Sequence, residues 1–213
     1  MISFIVPATN KDKIINLALS LERLPIDYEL IDVYGATSFF DAWRKGLEHS
    51  RGEYVILTHQ DTEYHYIPDL KEIFKELDIG LCGVAGCKDY DIKDPWWFSR
   101  KRLIDNNLSG QIYHDSPESK GLSIFGDYDL VDVLDGVCLV TKRLMLKEIL
   151  RRIKVNVTWD WYDHVLSCEY IKDGWYLRTI PILMTHGSAG GERRSTFEKE
   201  RKEFIKWYEQ NKD

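Results

Sequence analysis

Residues 52–65 of the chain read GEYVILTHQDTEYH. The short apolar run in this stretch ends abruptly in side chains that can bind a metal ion, namely His59, Asp61, Glu63 and His65. A continuous apolar run of this length is typical of a strand buried on both faces of a parallel sheet. In open sheets of such strands, ligands bind beyond the carboxyl ends of the strands. The stretch therefore predicts a buried strand that ends at the edge of a ligand site.

Strands and helices alternate on both sides of this stretch. Apolar runs predict strands at residues 2–7, 28–35, 53–61 and 79–86, and helical spacing predicts helices at residues 10–24, 37–52 and 67–78. Asn10 is the expected N-cap of the first helix, and Thr37 or Ser38 begins the second. This alternation predicts an α/β domain with a central, mostly parallel sheet flanked by helices. One edge of the sheet then carries Pro7 to Asn10, Tyr34 to Thr37, and His59 to Asp61.

The middle of the chain has a different pattern. Residues 87–129 lack sustained periodicity, which is typical of a functional loop or lid and less often of disorder. The aromatic residues of this segment argue against disorder; they include Trp96, Trp97, Phe98 and Tyr113.

Regular patterns return after this segment. Residues 128–152 predict two short strands and a helix capped by Thr141, and residues 159–174 predict a helix with Asp160 as its N-cap. The run MTHGSAGG predicts that the last strand leads into a glycine-rich loop, and a charged helix closes the chain. Nothing in the sequence indicates a linker, so we expect one domain.

The composition excludes several classes of protein. A net charge of −6 leaves no basic footprint for nucleic acid. The cysteines have no C-x-x-C pair, which predicts buried thiols in a reducing compartment. No stretch has the pattern of a signal peptide or a membrane span, so we expect a cytoplasmic protein. The C-terminal helix contains lysine, arginine and aromatic residues that suit peripheral membrane contact, but its glutamates favour a solvated surface helix.

His59 and Asp61 carry the clearest chemical signal. An imidazole and a carboxylate at the carboxyl end of a strand suit a divalent metal that also takes phosphate oxygens. The alternative is a polar strand end at which Asp61 caps the following turn. Whether His59 or His65 joins the metal stays open at this point.

Two later segments add candidate groups. Asp163 lies near the start of its predicted helix, where it is available as a general base for a hydroxyl group. His186 precedes glycines whose backbone N–H groups can approach an anion, although a lone histidine after a strand is more often structural. Arg193 and Arg194 follow within reach of a diphosphate.

Five segments in this order resemble the nucleotide-sugar glycosyltransferases of the GT-A fold: ISFIVPATN, GEYVILTHQD, VLDGVCLVTKR, WYDHVLS and IPILMTHGSAGG. More narrowly, the chain resembles a small family-2-like group in which the Asp-x-Asp motif reads His-Gln-Asp. The resemblance covers most of the chain and implies a single domain, 1–213. Its parts would be a nucleotide-binding half at 1–86, a loop or lid at 87–129, and an acceptor and metal half with the C-terminal helix at 130–213.

The resemblance also implies roles for the first half of the site. Pro7, Ala8 and Thr9 would lie against the base and ribose of the nucleotide, which is most often uridine diphosphate in such enzymes. Asp61 matches the second acid of the motif and would hold Mn²⁺ or Mg²⁺ on the donor diphosphate. His186 matches a distal histidine that some members add to the metal.

The remaining implied roles concern the acceptor side and the departures from the family pattern. Asp135 and Gly136 fall where the family shapes the donor-sugar and acceptor side of the cleft. Asp163 matches the base of inverting members. His59 replaces the first acid of the motif, and Asp32 is the only acid near the end of the second strand, where members commonly read the nucleotide.

The residues and the resemblance together predict a metal-dependent, inverting glycosyltransferase that builds a polysaccharide or glycoconjugate. Its acceptor would be a glycan or a lipid-linked molecule, in the cytoplasm or at the inner face of the membrane. A non-catalytic relative that binds nucleotide sugar or carbohydrate is the alternative, because the first acid is missing. A metal-dependent phosphohydrolase using His59, Asp61, His65 and His186 ranks third, since such enzymes usually gather more carboxylates.

Overall fold

A computed structural model describes residues 1–76, 78–89, 91–93, 95, 107–117, 119–188 and 195–211. Its strands are β1 Ile2–Ala8, β2 Tyr28–Tyr34, β3 Tyr54–Thr58, β4 Thr62–Tyr66, β5 Ile79–Gly83, β6 Ala85–Cys87, β7 Leu108–Asp115, β8 Lys120–Gly126, β9 Leu130–Val131, β10 Val133–Leu134, β11 Cys138–Lys142, β12 Tyr176–Thr179 and β13 Leu183–His186. Its helices are α1 Lys11–Leu21, α2 Phe39–His49, α3 Leu70–Ile73, α4 Arg143–Arg152, α5 Tyr162–Lys172 and α6 Phe197–Asn211.

The first sheet has the strand order β2-β1-β3-β11-β5-β12-β9. Strands β2, β1, β3, β5 and β12 run in one direction, whereas β11 and β9 run against them. Alternate residues of a strand face opposite sides, so Phe4 and Ile5 of β1 belong to different core clusters. Helix α1 contributes to the first cluster, and α2, α4, α5 and α6 contribute to the second. The predicted α/β class with a mostly parallel sheet is confirmed.

Helices α1 and α2 begin where the sequence predicts. The Asn10 side chain accepts hydrogen bonds from the N–H groups of Asp12 and Lys13, and the Ser38 hydroxyl accepts one from the N–H of Asp41. These bonds satisfy backbone N–H groups that have no partner within the first turn of a helix.

Two other predicted caps are wrong. Lys142 precedes α4 without a side-chain cap, and the Thr141 hydroxyl instead donates to the carbonyl oxygen of Gly80 in the neighbouring strand. Trp161, in the left-handed conformation with φ of 61°, precedes α5 in place of Asp160. Tertiary contacts take these two side chains away from the local role that their spacing favours.

The second sheet has the strand order β10-β6-β7-β13-β4, with β8 paired to β7. The structure differs from three of the sequence predictions in and around this sheet. Residues 62–66 form strand β4, and the helix predicted at 67–78 is reduced in the described residues to the single turn α3. The strand predicted at 79–86 divides into β5 and β6, which belong to different sheets. The segment 87–129, predicted to be irregular, contains the antiparallel pair β7 and β8.

Long-range pairing is the physical reason for these differences. The partner of β4 is β13, more than one hundred residues later in the chain, so no local pattern indicates the pairing. The break between β5 and β6 falls at Val84, whose carbonyl oxygen accepts a hydrogen bond from the N–H of Gln111 in β7. The chain leaves one sheet and joins the other at that residue.

Two further features bear on the expectations from composition. None of the helices in the described ranges is both long and apolar enough to cross a bilayer. All four cysteines are free thiols, and Cys82, Cys87 and Cys138 are buried as the sequence predicts.

Helix α6 packs against the segment that leads into α5. Glu200 is only 4% exposed, and its carboxylate accepts hydrogen bonds from the N–H groups of Thr158 at 2.7 Å and Asp160 at 3.1 Å, and from the Thr158 hydroxyl. The Trp161 ring stacks on Phe204 with 5.3 Å between ring centroids. The C-terminal helix therefore fixes the start of α5.

Glu29 joins β2 to β1 and to the segment before β3. Its carboxylate accepts hydrogen bonds from the Ser3 hydroxyl at 2.7 Å, the Arg51 N–H at 2.5 Å and the Arg51 guanidinium at 2.9 Å. Partial burial opposes ionisation, but these bonds and the charge of Arg51 outweigh it and lower the pKa of Glu29 to about 2.

We expect Glu29→Gln to lower the free energy of unfolding near neutral pH. Because the pKa of Glu29 is lower in the folded chain than in the unfolded chain, where it is about 4.3, the ionised carboxylate stabilises the fold above that value. The contribution is lost as pH falls toward 2, so the difference from wild type should shrink between about pH 5 and about pH 2. Urea unfolding across this range measures it. If the difference in unfolding free energy between wild type and Glu29→Gln does not diminish near pH 2, the lowered pKa of Glu29 is contradicted. Glu72→Gln on the exposed side of α3 is the control.

Candidate functional site

Three metal-binding side chains meet at the carboxyl edge of the first sheet. The candidate ligand atoms of His59, Asp61 and His186 lie within 4.8 Å of one another. His59 and Asp61 lie between β3 and β4, and His186 ends β13, where it pairs with Thr62 at the start of β4. The Gly187 N–H also donates to the Asp61 carbonyl oxygen at 2.7 Å. Backbone pairing therefore fixes the separation of the three side chains.

Asp61 is the only carboxylate in this cluster, and three basic side chains surround it. Its side chain is 16% exposed, with Oδ2 at 3.2 Å from Lys13 Nζ and Oδ1 at 3.6 Å from His186 Nε2. Burial opposes ionisation of Asp61. The neighbouring His186, His59 and Lys13 side chains outweigh burial and hold the pKa of Asp61 well below its usual range. The carboxylate is therefore charged at neutral pH.

His59 is held on several sides. Its Nε2 lies 2.8 Å from the Tyr162 hydroxyl, and its Nδ1 lies 3.4 Å from His186 Nε2. The His59 ring stacks on Phe39 at 5.4 Å between centroids, and Phe39 stacks on Tyr162 at 3.7 Å. The orientation of His59 is thus set by packing as well as by hydrogen bonding.

The donor set of this cluster fits a divalent metal ion. One carboxylate and two imidazoles are ligands that first-row divalent metals accept, and a set of three leaves positions for oxygens of a substrate. Ser188 Oγ, at 3.0 Å from His186 Nε2, is a further polar atom beside the cluster. His59 belongs to the cluster, whereas His65 does not: its Nε2 lies 2.7 Å from the Thr185 hydroxyl.

Gln60 joins the cluster to the loop between β1 and α1. Its side-chain oxygen accepts hydrogen bonds from the N–H groups of Thr9 at 2.8 Å and Asn10 at 2.9 Å, and its amide nitrogen donates to the Thr9 hydroxyl at 2.8 Å. Consecutive residues of the His-Gln-Asp run thus bind two different parts of the site edge.

The residues expected near a nucleotide lie at this edge. Ala8 ends β1 and pairs with Tyr34, which ends β2 and is 49% exposed. Pro7 is half-buried and Thr9 is exposed at the start of the loop. Asp32 is exposed on β2, two residues before the strand ends. Strand β2 is the outermost strand on this side of the sheet, so Asp32 lies at its periphery.

Asp163 lies in the first turn of α5, and both of its oxygens accept hydrogen bonds. Oδ2 accepts from the Gly136 N–H at 3.1 Å, and Oδ1 accepts from the His164 N–H at 2.9 Å and contacts His164 Nδ1 at 2.7 Å. A carboxylate offers about four acceptor positions, so one more hydroxyl can still bind. Its side chain is 10% exposed.

Asp135 and Gly136 reach the site because β11 runs antiparallel to β3. Cys138, the first residue of β11, pairs with Thr58, the last residue of β3, so the residues before β11 lie beside His59. Desolvation and the nearby Asp163 carboxylate raise the pKa of Asp135 above its ordinary value. The half-buried Asp135 therefore holds a proton more readily than an exposed aspartate does.

The sequence analysis missed two side chains of the site, and four of the residues that it named cannot be compared with the structure. Lys13 and Tyr162 contact the cluster directly, but each has the appearance of an ordinary helical residue in the sequence. One local feature could have indicated Lys13. It lies in the first turn of helix α1, directly after the strand β1 that ends at the site edge. Arg193 and Arg194, together with Trp96 and Trp97, lie outside the described residues.

Comparison with known proteins identifies a family to which this chain is similar. A sequence profile of the glycosyltransferase-like family matches residues 3–208. A search of curated proteins finds no match to the chain.

Solved structures match the fold along most of the chain. GalNAc-T7, solved with UDP, GalNAc and Mn²⁺, superposes with a TM-score of 0.66 at 13% identity over 100% of this chain and 49% of its own. TarS of S. aureus, residues 1–349 in complex with UDP-GlcNAc, superposes with a TM-score of 0.55 at 12% identity over 90% of this chain and 59% of its own. The GT-A fold is thereby confirmed. The chain spans between about half and three fifths of the length of these structures.

We expect Gln60→Ala to lower the free energy of unfolding by about 1 kcal/mol, because it removes the partner of two backbone N–H groups. Gln60→Glu should keep most of that stability, since a carboxylate still accepts both bonds. Urea unfolding of both variants measures the difference. Gln210→Ala on the exposed side of α6 is the control, and equal effects at the two alanine positions would contradict a tethering role for Gln60.

Proposed function

The chain belongs to the glycosyltransferase-like family, and we propose that it transfers a sugar from a nucleotide-sugar donor to a glycan or glycoconjugate acceptor with the help of a divalent metal. The observation that carries this proposal is the cluster of His59, Asp61 and His186 at the carboxyl edge of the sheet, beside the loop that Gln60 tethers. A metal site beside the carboxyl edge of the sheet suits a diphosphate leaving group.

The donor side uses the first half of the chain. Pro7, Ala8 and Thr9 would contact the base and ribose of a uridine nucleotide, with Asp32 at the periphery. The UDP and UDP-GlcNAc in the neighbouring structures support this choice of nucleotide. The His59-Gln60-Asp61 run supports membership of the small group whose motif reads His-Gln-Asp.

The metal would be Mn²⁺ or Mg²⁺, held by Asp61, His186 and His59. When bound it would neutralise negative charge on the diphosphate as the bond to the sugar breaks. Lys13, which pairs with Asp61 at 3.2 Å, carries a second positive charge to the same place. Arg193 and Arg194 would add charge from the loop after His186.

The acceptor side centres on Asp163. In an inverting transfer the acceptor oxygen forms a bond to the anomeric carbon while the bond from that carbon to the phosphate oxygen breaks. The acceptor proton would pass to the Asp163 carboxylate, which the Gly136 N–H and His164 hold in place. Asp135 would face the donor sugar from the same side.

The division of the chain follows from these roles. Residues 1–86 would bind the nucleotide, residues 130–213 would supply the base, the distal histidine and the C-terminal helix, and part of 87–129 would close over the sugar. The free thiols support a cytoplasmic reaction in polysaccharide or glycoconjugate synthesis, at most in peripheral contact with a membrane.

A second candidate function is nucleotide-sugar binding without transfer. The single carboxylate of the metal cluster, already paired with Lys13, favours it, because two acids bind a divalent ion more strongly than one. This candidate predicts nucleotide binding that neither requires Mn²⁺ nor leads to turnover across donors and acceptors.

We expect Asp61→Asn to abolish the stabilisation that UDP and Mn²⁺ give together. A ligand at one hundred times its dissociation constant adds about 2.7 kcal/mol to folding stability, which thermal unfolding detects. Asp27→Asn is the matched control, because Asp27 is exposed at the opposite end of the parallel strands. If UDP raises the melting temperature equally with or without Mn²⁺, and equally in wild type and Asp61→Asn, the second candidate function, binding without transfer, is favoured.

We expect Asp163→Asn to reduce kcat by roughly 10² to 10⁴, because the amide cannot take the acceptor proton. The thermal shift with UDP and Mn²⁺ should persist, since Asp163 does not belong to the metal cluster. Turnover of nucleotide sugar with the best acceptor measures the effect. An unchanged kcat would remove Asp163 from the proposed mechanism and leave the donor site in place.

A further inference from the structure

We propose that Tyr162 is a positioning residue that presents Nδ1 of His59, and not Nε2, to the metal. This inference rests on the proposed metal site and names the residue that orients its least usual ligand. The direct observation is the 2.8 Å contact between the Tyr162 hydroxyl and His59 Nε2.

The contact places Nε2 against the phenol and leaves Nδ1 as the nitrogen that faces the cluster. The two nitrogens of a neutral imidazole have opposite roles, one carrying hydrogen and the other a lone pair. When Nε2 donates its hydrogen to the phenol oxygen, the lone pair lies on Nδ1. Nδ1 is also the nitrogen that faces the cluster, at 3.4 Å from His186 Nε2, which in turn lies 3.6 Å from Asp61 Oδ1.

Packing holds Tyr162 in this position. Its side chain is buried, with the ring against Phe39 at 3.7 Å and Trp43 at 5.5 Å between centroids. The His59 ring lies on the same Phe39. The phenol and the imidazole therefore share one aromatic support, and neither ring turns without disturbing the other.

Gly136 provides the space for the phenol. A Cβ atom at position 136 would lie 2.3 Å from the Tyr162 hydroxyl oxygen, so every other residue would displace it. The Gly136 N–H also donates to Asp163, the neighbour of Tyr162. Gly136, which the resemblance puts on the sugar side of the cleft, thus acts on the metal side through Tyr162.

The first turn of α5 accordingly serves both halves of the site. The Tyr162 hydroxyl contacts His59 of the metal cluster. The adjacent Asp163, which accepts a hydrogen bond from the Gly136 N–H, is the proposed base. Partners that donate to or accept from the second nitrogen of a metal-bound histidine commonly change metal affinity by about 10-fold to 100-fold when removed. Tyr162 has that relation to His59.

The test is Mn²⁺ affinity, measured by calorimetry and by electron paramagnetic resonance of free Mn²⁺. We expect Tyr162→Phe to weaken binding by about 10-fold to 100-fold while keeping the ring contacts. Gly136→Ala should weaken it in the same direction. Tyr170→Phe is the matched control, because Tyr170 lies on the same helix and its hydroxyl contacts the Thr141 hydroxyl at 2.8 Å. That variant should lose stability but keep its Mn²⁺ affinity.

A double-mutant cycle separates positioning from general structure. If Tyr162 acts through His59, Tyr162→Phe should have no further effect on Mn²⁺ affinity in a His59→Ala background. A loss that persists in that background, or wild-type affinity in Tyr162→Phe, would overturn the inference and leave the metal site standing. Failure of the wild-type protein to bind Mn²⁺, alone or with UDP, would instead overturn the metal site and this inference together.

Discussion

The chain passes from one sheet to the other at residues 59–61, and the rest of the site depends on that passage. Strand β3 before it pairs with β11, and strand β4 after it pairs with β13. The first pairing brings residues 135–137 beside His59, and the second brings His186 beside Asp61. A slip of one residue in either register would turn every side chain of a strand to its opposite face. The ladder hydrogen bonds therefore determine the composition of the cluster.

The charge balance of the site follows from the same arrangement. One carboxylate faces two imidazoles and a lysine, so the protein alone offers a metal less negative charge than a pair of acids would. Under the proposed function, oxygens of the donor diphosphate would make up this difference. The Lys13 ammonium group pairs with the Asp61 carboxylate in the structure. It would offer a bound diphosphate a direct positive partner.

The acceptor side is held by contacts from distant parts of the chain. Glu200 of α6 fixes the residues before α5, and Gly136 meets both Tyr162 and Asp163 at the start of that helix. The C-terminal helix follows His186 in the sequence. Its packing therefore bears on the proposed base, because Glu200 holds the residues that lead into α5.

The sequence by itself determined the elements whose signal is local. The apolar run of β3, the caps Asn10 and Ser38, and the site edge at His59 and Asp61 follow from periodicity and from the chemistry of neighbouring residues. Tertiary structure alone decided the strand β4, the division at Val84, and the contacts of Lys13 and Tyr162 with the cluster. These depend on backbone pairing and side-chain packing between residues far apart in the chain. A local pattern contains no information about such partners, since the same sequence of strand or helix formers can face many different neighbours.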